Sequence, residues 1–219
     1  MYAGASGNHT AARRPTTPSL HVLERAAALA ALAVAALPAA ATALAVGLTL
    51  GRPILFRQVR SGLGGRLFTV VKFRTMHDRR DGEGRLLPDH LRETPTTRLI
   101  RRLRLDEIPQ LLAIVSGEMR FVGPRPLQPA TIAAFGPLGR VRSSVPPGLT
   151  GWAQVNGNTR LTDDEKLALD IWYVDHRSLA LDTRILLMTA ATILRGEQVD
   201  RRALTLAKAH LALRPEGRP

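Results

Sequence analysis

The longest feature of the hydrophobic pattern is residues 26–50, which are 25 consecutive uncharged positions, thirteen of them alanine. About 20 apolar residues suffice to cross a bilayer as one helix. A signal peptide fits poorly, because the run is long and no convincing cleavage site follows it. Pro38 stands at its centre and removes a backbone donor. It divides the run into halves of twelve residues, each roughly 18 Å long at ~1.5 Å per residue. Such halves fit a re-entrant hairpin that enters one leaflet and returns. Arg13, Arg14 and Arg25 precede the run, and Arg52, Arg57 and Arg60 follow it. Basic residues on both flanks place both on the cytoplasmic side. Proline also occurs in spanning helices, so hairpin and span both stay open on these grounds. Residues 1–19 carry no apolar period and are expected to be disordered, leaving 20–50 as the membrane segment.

Beyond Gly51 the pattern is that of a mixed domain over 51–196. Leu67 to Phe73 is β-branched and apolar enough for a strand, with Ile54 to Gln58 as its partner across the turn Ser61–Gly65. The charged stretch 77–90 is expected to be a loop. Helical spacing follows over 92–104, where Leu99, Ile100 and Leu103 share a face. Pro109 suits a first helical turn, and Gly117 closes that helix. Gly123–Pro126 and Pro146–Gly151 are expected to be rigid turns. Thr162 with Glu165 forms a capping box for a helix to about Tyr173. Asp182 to Arg195 is a last amphipathic helix, and 197–219 is expected to be a frayed, flexible tail. The fold class is therefore α/β of the α+β kind: a small, mainly helical domain, a short β-hairpin and an N-terminal membrane helix, re-entrant or spanning.

Charge adds a direction to this layout. The 219 residues carry a net charge of +13, which calls for an anionic partner. Residues 51–104 hold fourteen basic and five acidic side chains, a net of +9, whereas 105–219 net only +2. The surplus thus lies between the apolar run and the carboxylate pair Asp106–Glu107. Cysteine is absent, which removes disulfides, thiolate nucleophiles and cysteine-ligated metals.

Adjacent residues on a helix point about 100° apart, so Asp106 and Glu107 suit unlike jobs, such as nucleophile and metal ligand. The plainer reading is a pair of acids at a helix N-terminus. Gly123-Pro124-Arg125-Pro126 pins a guanidinium between two fixed φ angles, a fork matched to phosphate oxygens. Lys72 and Arg74 alternate with Phe73 and so share one strand face. The six histidines have no metal-site spacing, and Trp152 and Trp172 suit a core.

Ordered motifs then carry a resemblance. Gly51-Arg52-Pro53-Ile54-Leu55-Phe56-Arg57-Gln58, Gly62, Phe68 and Lys72-Phe73-Arg74-Thr75-Met76 open it. Leu105-Asp106-Glu107-Ile108-Pro109-Gln110, Gly117-Glu118-Met119 and Phe121-Val122-Gly123-Pro124-Arg125-Pro126 continue it, and Pro147 through Gly157 closes it. Together they resemble the bacterial sugar transferase family, the monotopic phosphoglycosyl transferases, in its minimal form. The resemblance implies transfer of a sugar-1-phosphate from a UDP-sugar to undecaprenyl (polyprenyl) phosphate, with release of UMP, in exopolysaccharide, capsule or glycoconjugate assembly. It implies Asp106 as nucleophile, Mg²⁺ held at Asp106 and Glu107, and phosphates held by Arg101 and Arg125. Lys72, Arg74 and Arg102 are expected to help bind them. It also implies a helix break at Pro38 and a place on the cytoplasmic face of the bacterial inner membrane, among its lipids and without nucleic acid.

The charge arithmetic points the same way. A carboxylate nearing a diphosphate meets about 4 kcal/mol of repulsion per unit pair at ~4 Å. Mg²⁺ with an arginine wall of Arg98, Arg101, Arg102, Arg104 and Arg125 would offset it. Departures from the family pattern are Arg104 where serine is usual, Glu118 and Arg120 around Met119, Ala113, Pro146 and Asn158. The alternative function is a non-catalytic, membrane-tethered binder of nucleic acid or anionic lipid. The 4% aromatic content leaves it few stacking platforms.

Overall fold

The structure is a computed structural model that describes residues 18–214. Most of the expected disordered lead-in, residues 1–17, and the last five residues lie outside the described part. Alanine is the strongest helix former, and the alanine-rich run folds into α1, Pro18–Leu50. The backbone stays helical through Pro38, where a break was expected. The Thr42 hydroxyl donates to the Pro38 carbonyl at 2.8 Å.

Small side chains set how α1 packs. Ala28, Ala31 and Leu32 lie on one buried cluster, and Ala39, Ala43 and Val46 lie on another. The opposite face is open: Leu29, Val34, Leu37, Leu44 and Leu48 are each more than half exposed. Both ends of the helix are tied to the same domain. Glu24 accepts from Arg120 Nε at 2.7 Å and from the Phe121 backbone N–H at 3.0 Å. Arg74 donates to the carbonyls of Leu50 at 2.6 Å and Gly51 at 2.8 Å, satisfying the helix C-terminus.

The expected hairpin forms from β1, Leu55–Ser61, and β2, Leu67–Phe73, antiparallel from Leu55↔Phe73 to Ser61↔Leu67. The segment read as one helix over 92–104 is broken. A single turn, α2 (Asp89–Arg92), is followed by α3 (Pro95–Arg102), which Thr94 caps reciprocally with Thr97. The carboxylate pair lies in a 3₁₀ turn, Leu105–Gln110, which leads into α4, Leu111–Ser116. Pro109 therefore sits inside the turn rather than opening an α-helix.

β3 (Arg120–Val122) pairs in parallel with β4 (Gly148–Thr150), so part of the second expected turn is a strand. The two backbones touch there: a Cβ added at Gly148 would lie 2.1 Å from the Gly123 nitrogen. Between them run α5 (Pro129–Ala134) and α6 (Gly136–Arg142). α7 (Trp152–Val155), α8 (Asp163–His176) and α9 (Leu179–Arg195) build the helical half. The capping box at Thr162 and Glu165 forms as expected.

The expected frayed tail is instead a helix, α10, Arg201–Ala212, capped by Asp200. Leu204 and Ala207 are buried in the core of Trp152, Leu169, Tyr173 and Ile185. That burial outweighs the conformational entropy a free tail would keep.

Candidate active site

Three backbone elements meet at the site: the inner face of the hairpin, the 3₁₀ turn and the proline turn after β3. Strand alternation puts Phe56, Gln58 and Arg60 on one face of β1, opposite Lys72, Val70 and Phe68 of β2. Phe56, Gln58 and Arg60 of β1, Val70 and Lys72 of β2, and Gln110, Arg125 and Pro126 line a cleft open to solvent.

The two acids of the 3₁₀ turn, which Arg125 of this lining reaches, have different surroundings, as their divergent directions in a tight turn require. Glu107 is buried and engaged at both oxygens. Arg125 Nη2 donates to Oε1 at 2.7 Å, and Arg104 Nη1 donates to Oε2 at 3.3 Å. Burial works to raise the Glu107 carboxyl, but the two guanidiniums outweigh it and hold it below the usual glutamate range. Asp106 is equally buried, 6% exposed, yet no described side chain reaches it with a hydrogen bond or ion pair. Burial and the Glu107 charge push its carboxyl up to about 6, against the opposing pull of Lys72, Arg101 and Arg125.

Cations surround the pair without neutralising Asp106. Lys72 sits over the Phe56 ring, 5.4 Å from its centroid, and burial lowers its pKa. Arg60 donates to Gln58 Oε1 at 2.5 Å. Burial and the charge of Arg125 lower its pKa as well. Lys72 and Arg60 form no ion pair with a described carboxylate. Cations held in a cleft in this way form a receptor for anionic oxygens.

Arg125 is placed by a buried chain of contacts. Arg142 Nη2 donates to the Arg125 carbonyl at 2.6 Å, and Arg142 Nε donates to Asp170 at 2.8 Å. The ion pair links α6 to α8 and holds the proline turn against the dyad.

The expected site residues thus divide. Asp106, Glu107, Lys72 and Arg125 converge. Arg101 pairs with Glu93 at 2.9 Å while still acting on Asp106. Arg102 is exposed on α3 and is not among the charges acting on either acid. Arg74 lies one residue past β2, where the strand alternation that would pair it with Lys72 has ended, and it serves the C-terminus of α1. Pro38 is exposed, within an unbroken helix.

Four contributors escaped the sequence reading: Arg60, Gln58, Arg142 and Asp170. Period-two alternation in β1 would have put Gln58 and Arg60 opposite Val70 and Phe68, once the hairpin register was known. Nothing local marks Arg142 or Asp170, which meet across 28 residues.

A magnesium ion of the substrate-completed kind fits this donor set. Asp106 offers a free carboxylate, and each Glu107 oxygen, although it already accepts from an arginine, keeps a second lone pair; Mg²⁺ typically takes one or two carboxylates plus phosphates and water. No described cluster of three or more acidic, histidine or cysteine side chains makes a self-sufficient metal cage.

Residues 18–196 match the family described as bacterial sugar transferase. The chain is 46% identical over 159 residues to an uncharacterized sugar transferase, EpsL, of Bacillus subtilis, covering 73% of this chain and 79% of that protein. It is 40% identical over 167 residues to a UDP-glucose:undecaprenyl-phosphate glucose-1-phosphate transferase of Caulobacter vibrioides, covering 69% of this chain and 61% of the relative. A UDP-N-acetylgalactosamine-undecaprenyl-phosphate N-acetylgalactosaminephosphotransferase of Aeromonas hydrophila is 37% identical over 164 residues, covering 71% of this chain but 39% of its own length. The match takes in the hairpin, the acid pair and the proline turn together, and by it the chain belongs to the bacterial sugar transferase family.

Proposed function

We propose that this protein transfers a sugar-1-phosphate from a UDP-sugar to undecaprenyl phosphate at the cytoplasmic face of a bacterial membrane, releasing UMP. The observation that carries the reading is the unequal pair: Glu107 saturated by arginines, and Asp106 buried, unpartnered and facing cations. An unpaired buried carboxylate is costly to hold, and a nucleophile must be left unengaged.

In the first step an Asp106 oxygen attacks the phosphorus that bears the sugar. The bond from that phosphorus to the oxygen it shares with the uridylyl phosphate breaks, and UMP leaves with the bridging oxygen and its electron pair. In the second step a phosphate oxygen of the lipid attacks the same phosphorus and displaces the Asp106 carboxylate. The product is a lipid diphosphate sugar. Lys72, Arg60 and Arg125 bind and orient the phosphate oxygens and balance their charge. Glu107, clamped from both sides, keeps Arg125 at the cleft. Asp106 and Glu107 would hold Mg²⁺, which would supply charge neutralisation at the phosphates.

Membrane attachment rests on α1. Its exposed apolar face suits lipid, and Glu24 and Leu50, near its two ends, are tied to one domain. A helix held at both ends by the same domain keeps those ends on one side of the bilayer, which supports a monotopic arrangement.

The test is UMP release from a panel of UDP-sugars with undecaprenyl phosphate and Mg²⁺. Wild type releases UMP with at least one sugar, whereas Asp106→Asn does not. Equal rates from the variant would remove Asp106 as nucleophile, and no release from wild type with any sugar would remove the function.

A further inference from the structure

Among the described residues only two other than glycine have positive φ: Arg104 at 58° and Asn158 at 47°. Left-handed backbone is costly for a residue with a Cβ, and far less natural for arginine than for asparagine. Such strain gathers at sites that use the resulting geometry. These two residues lie far apart in sequence, yet both side chains meet one carboxylate, that of Glu197.

Glu197 is one residue beyond the stretch that matches the family. It accepts from Asn158 Nδ2, from the Thr159 backbone N–H at 3.2 Å and from the Thr159 hydroxyl at 2.5 Å. Burial acts to raise its carboxyl, but the hydrogen bonds from Thr159 and Asn158 and the charge of Arg104 hold it below the usual glutamate range. Its segment is pinned further along, where the Asp200 N–H donates to the Asn156 carbonyl at 3.2 Å and Asp200 caps α10. Glu197 is therefore a fixed anion.

Arg104 spans the gap between that anion and the site. Its Nη2 lies 3.8 Å from Glu197 Oε1, and its Nη1 lies 3.3 Å from Glu107 Oε2. The left-handed turn at Arg104 opens the 3₁₀ segment that carries Asp106 and Glu107, so one residue sets both the start of that turn and one contact of its second acid. We infer that Arg104 and Glu197 are positioning residues for Glu107: Glu197 holds Arg104, and Arg104 fixes the carboxylate oxygen that Arg125 does not.

This inference rests on the proposed transferase activity, and the wild-type rate separates the two. No UMP release by wild type overturns the function itself, whereas wild-type turnover with unaffected variants overturns only the positioning role. The measurement is kcat and KM for the UDP-sugar in the full-length chain, with unfolding midpoints recorded for each variant. Arg104→Ala lowers kcat about 30-fold while KM moves by less than about threefold, as expected for misplacement rather than lost binding. Arg104→Lys, which keeps the charge, recovers most of the rate. Glu197→Gln, which keeps an acceptor for Thr159, lowers kcat about tenfold. The double variant Arg104→Ala/Glu197→Gln is no slower than Arg104→Ala alone, because Glu197 acts through Arg104. Full turnover by Glu197→Gln would overturn the inference. So would losses that multiply in the double variant, or an Arg104→Ala effect confined to KM.

Discussion

Asp106 and Glu107 are neighbours in sequence and equally buried, yet they end at opposite electrostatic extremes. The difference is who reaches them. Two guanidiniums stabilise the Glu107 charge and none touches Asp106, so the desolvation both pay is offset in only one. A carboxyl raised from 3.8 to about 6 binds its proton more tightly folded than unfolded. At neutral pH, where it is ionised in both states, this costs the folded protein about 3 kcal/mol. Asp106→Asn therefore raises the unfolding midpoint at pH 7.5 in metal-free buffer. The advantage shrinks as pH falls from 6 towards 4 and is absent below that, where the aspartate is protonated in both states. Thermal melts of the two proteins across that range check it. A gain that grew on acidification would contradict the assignment. The same carboxyl predicts that kcat/KM, measured at subsaturating Mg²⁺, falls as pH drops through about 6.

At the scale of elements, the site depends on how a strand, a turn and a helix pair are held. β1 and β2 fix a cationic face by register alone, and one residue past β2 the alternation ends, so Arg74 serves α1 while Lys72 serves the cleft. The proline turn stiffens Arg125 locally, but its position comes from the Arg142–Asp170 pair between α6 and α8. Removing one member of a buried ion pair leaves an uncompensated charge and costs about 3–5 kcal/mol. Asp170→Ala accordingly lowers the urea midpoint by that equivalent and lowers turnover with it. Arg142→Met combined with Asp170→Leu restores much of the stability by removing both charges. It does not restore the rate, because the Arg125 carbonyl still lacks its donor. Denaturation curves and UMP release from the same samples separate the two effects. Full activity in the double variant would show that Arg142 does not position the turn.

For the whole molecule, the net charge of +13 and the open apolar face of α1 both favour an anionic membrane surface, but by forces with different ranges. At 1 M NaCl the Debye length is about 3 Å and headgroup attraction is largely screened, while apolar burial persists. The protein is expected to float with phosphatidylglycerol-containing liposomes in 1 M NaCl, and release into the soluble fraction would mean that charge alone holds it. The apolar helix, the hairpin, the capping box at Thr162 and the acid pair beside a basic stretch can all be read from the amino-acid order. Each of these is written in local periodicity or in neighbours a few residues apart. The same order also carries the family, whose motifs are contiguous strings. Only the tertiary structure decided that α1 runs unbroken through Pro38 between two ties to one domain, and that residues 201–212 pack as a helix. Only tertiary structure, too, separated Arg74 from Lys72, brought Arg60 and Arg142 to the site, and gave Glu107 rather than Asp106 its arginines. Those outcomes depend on contacts between residues tens of positions apart, where burial and pairing override what a short stretch of chain prefers.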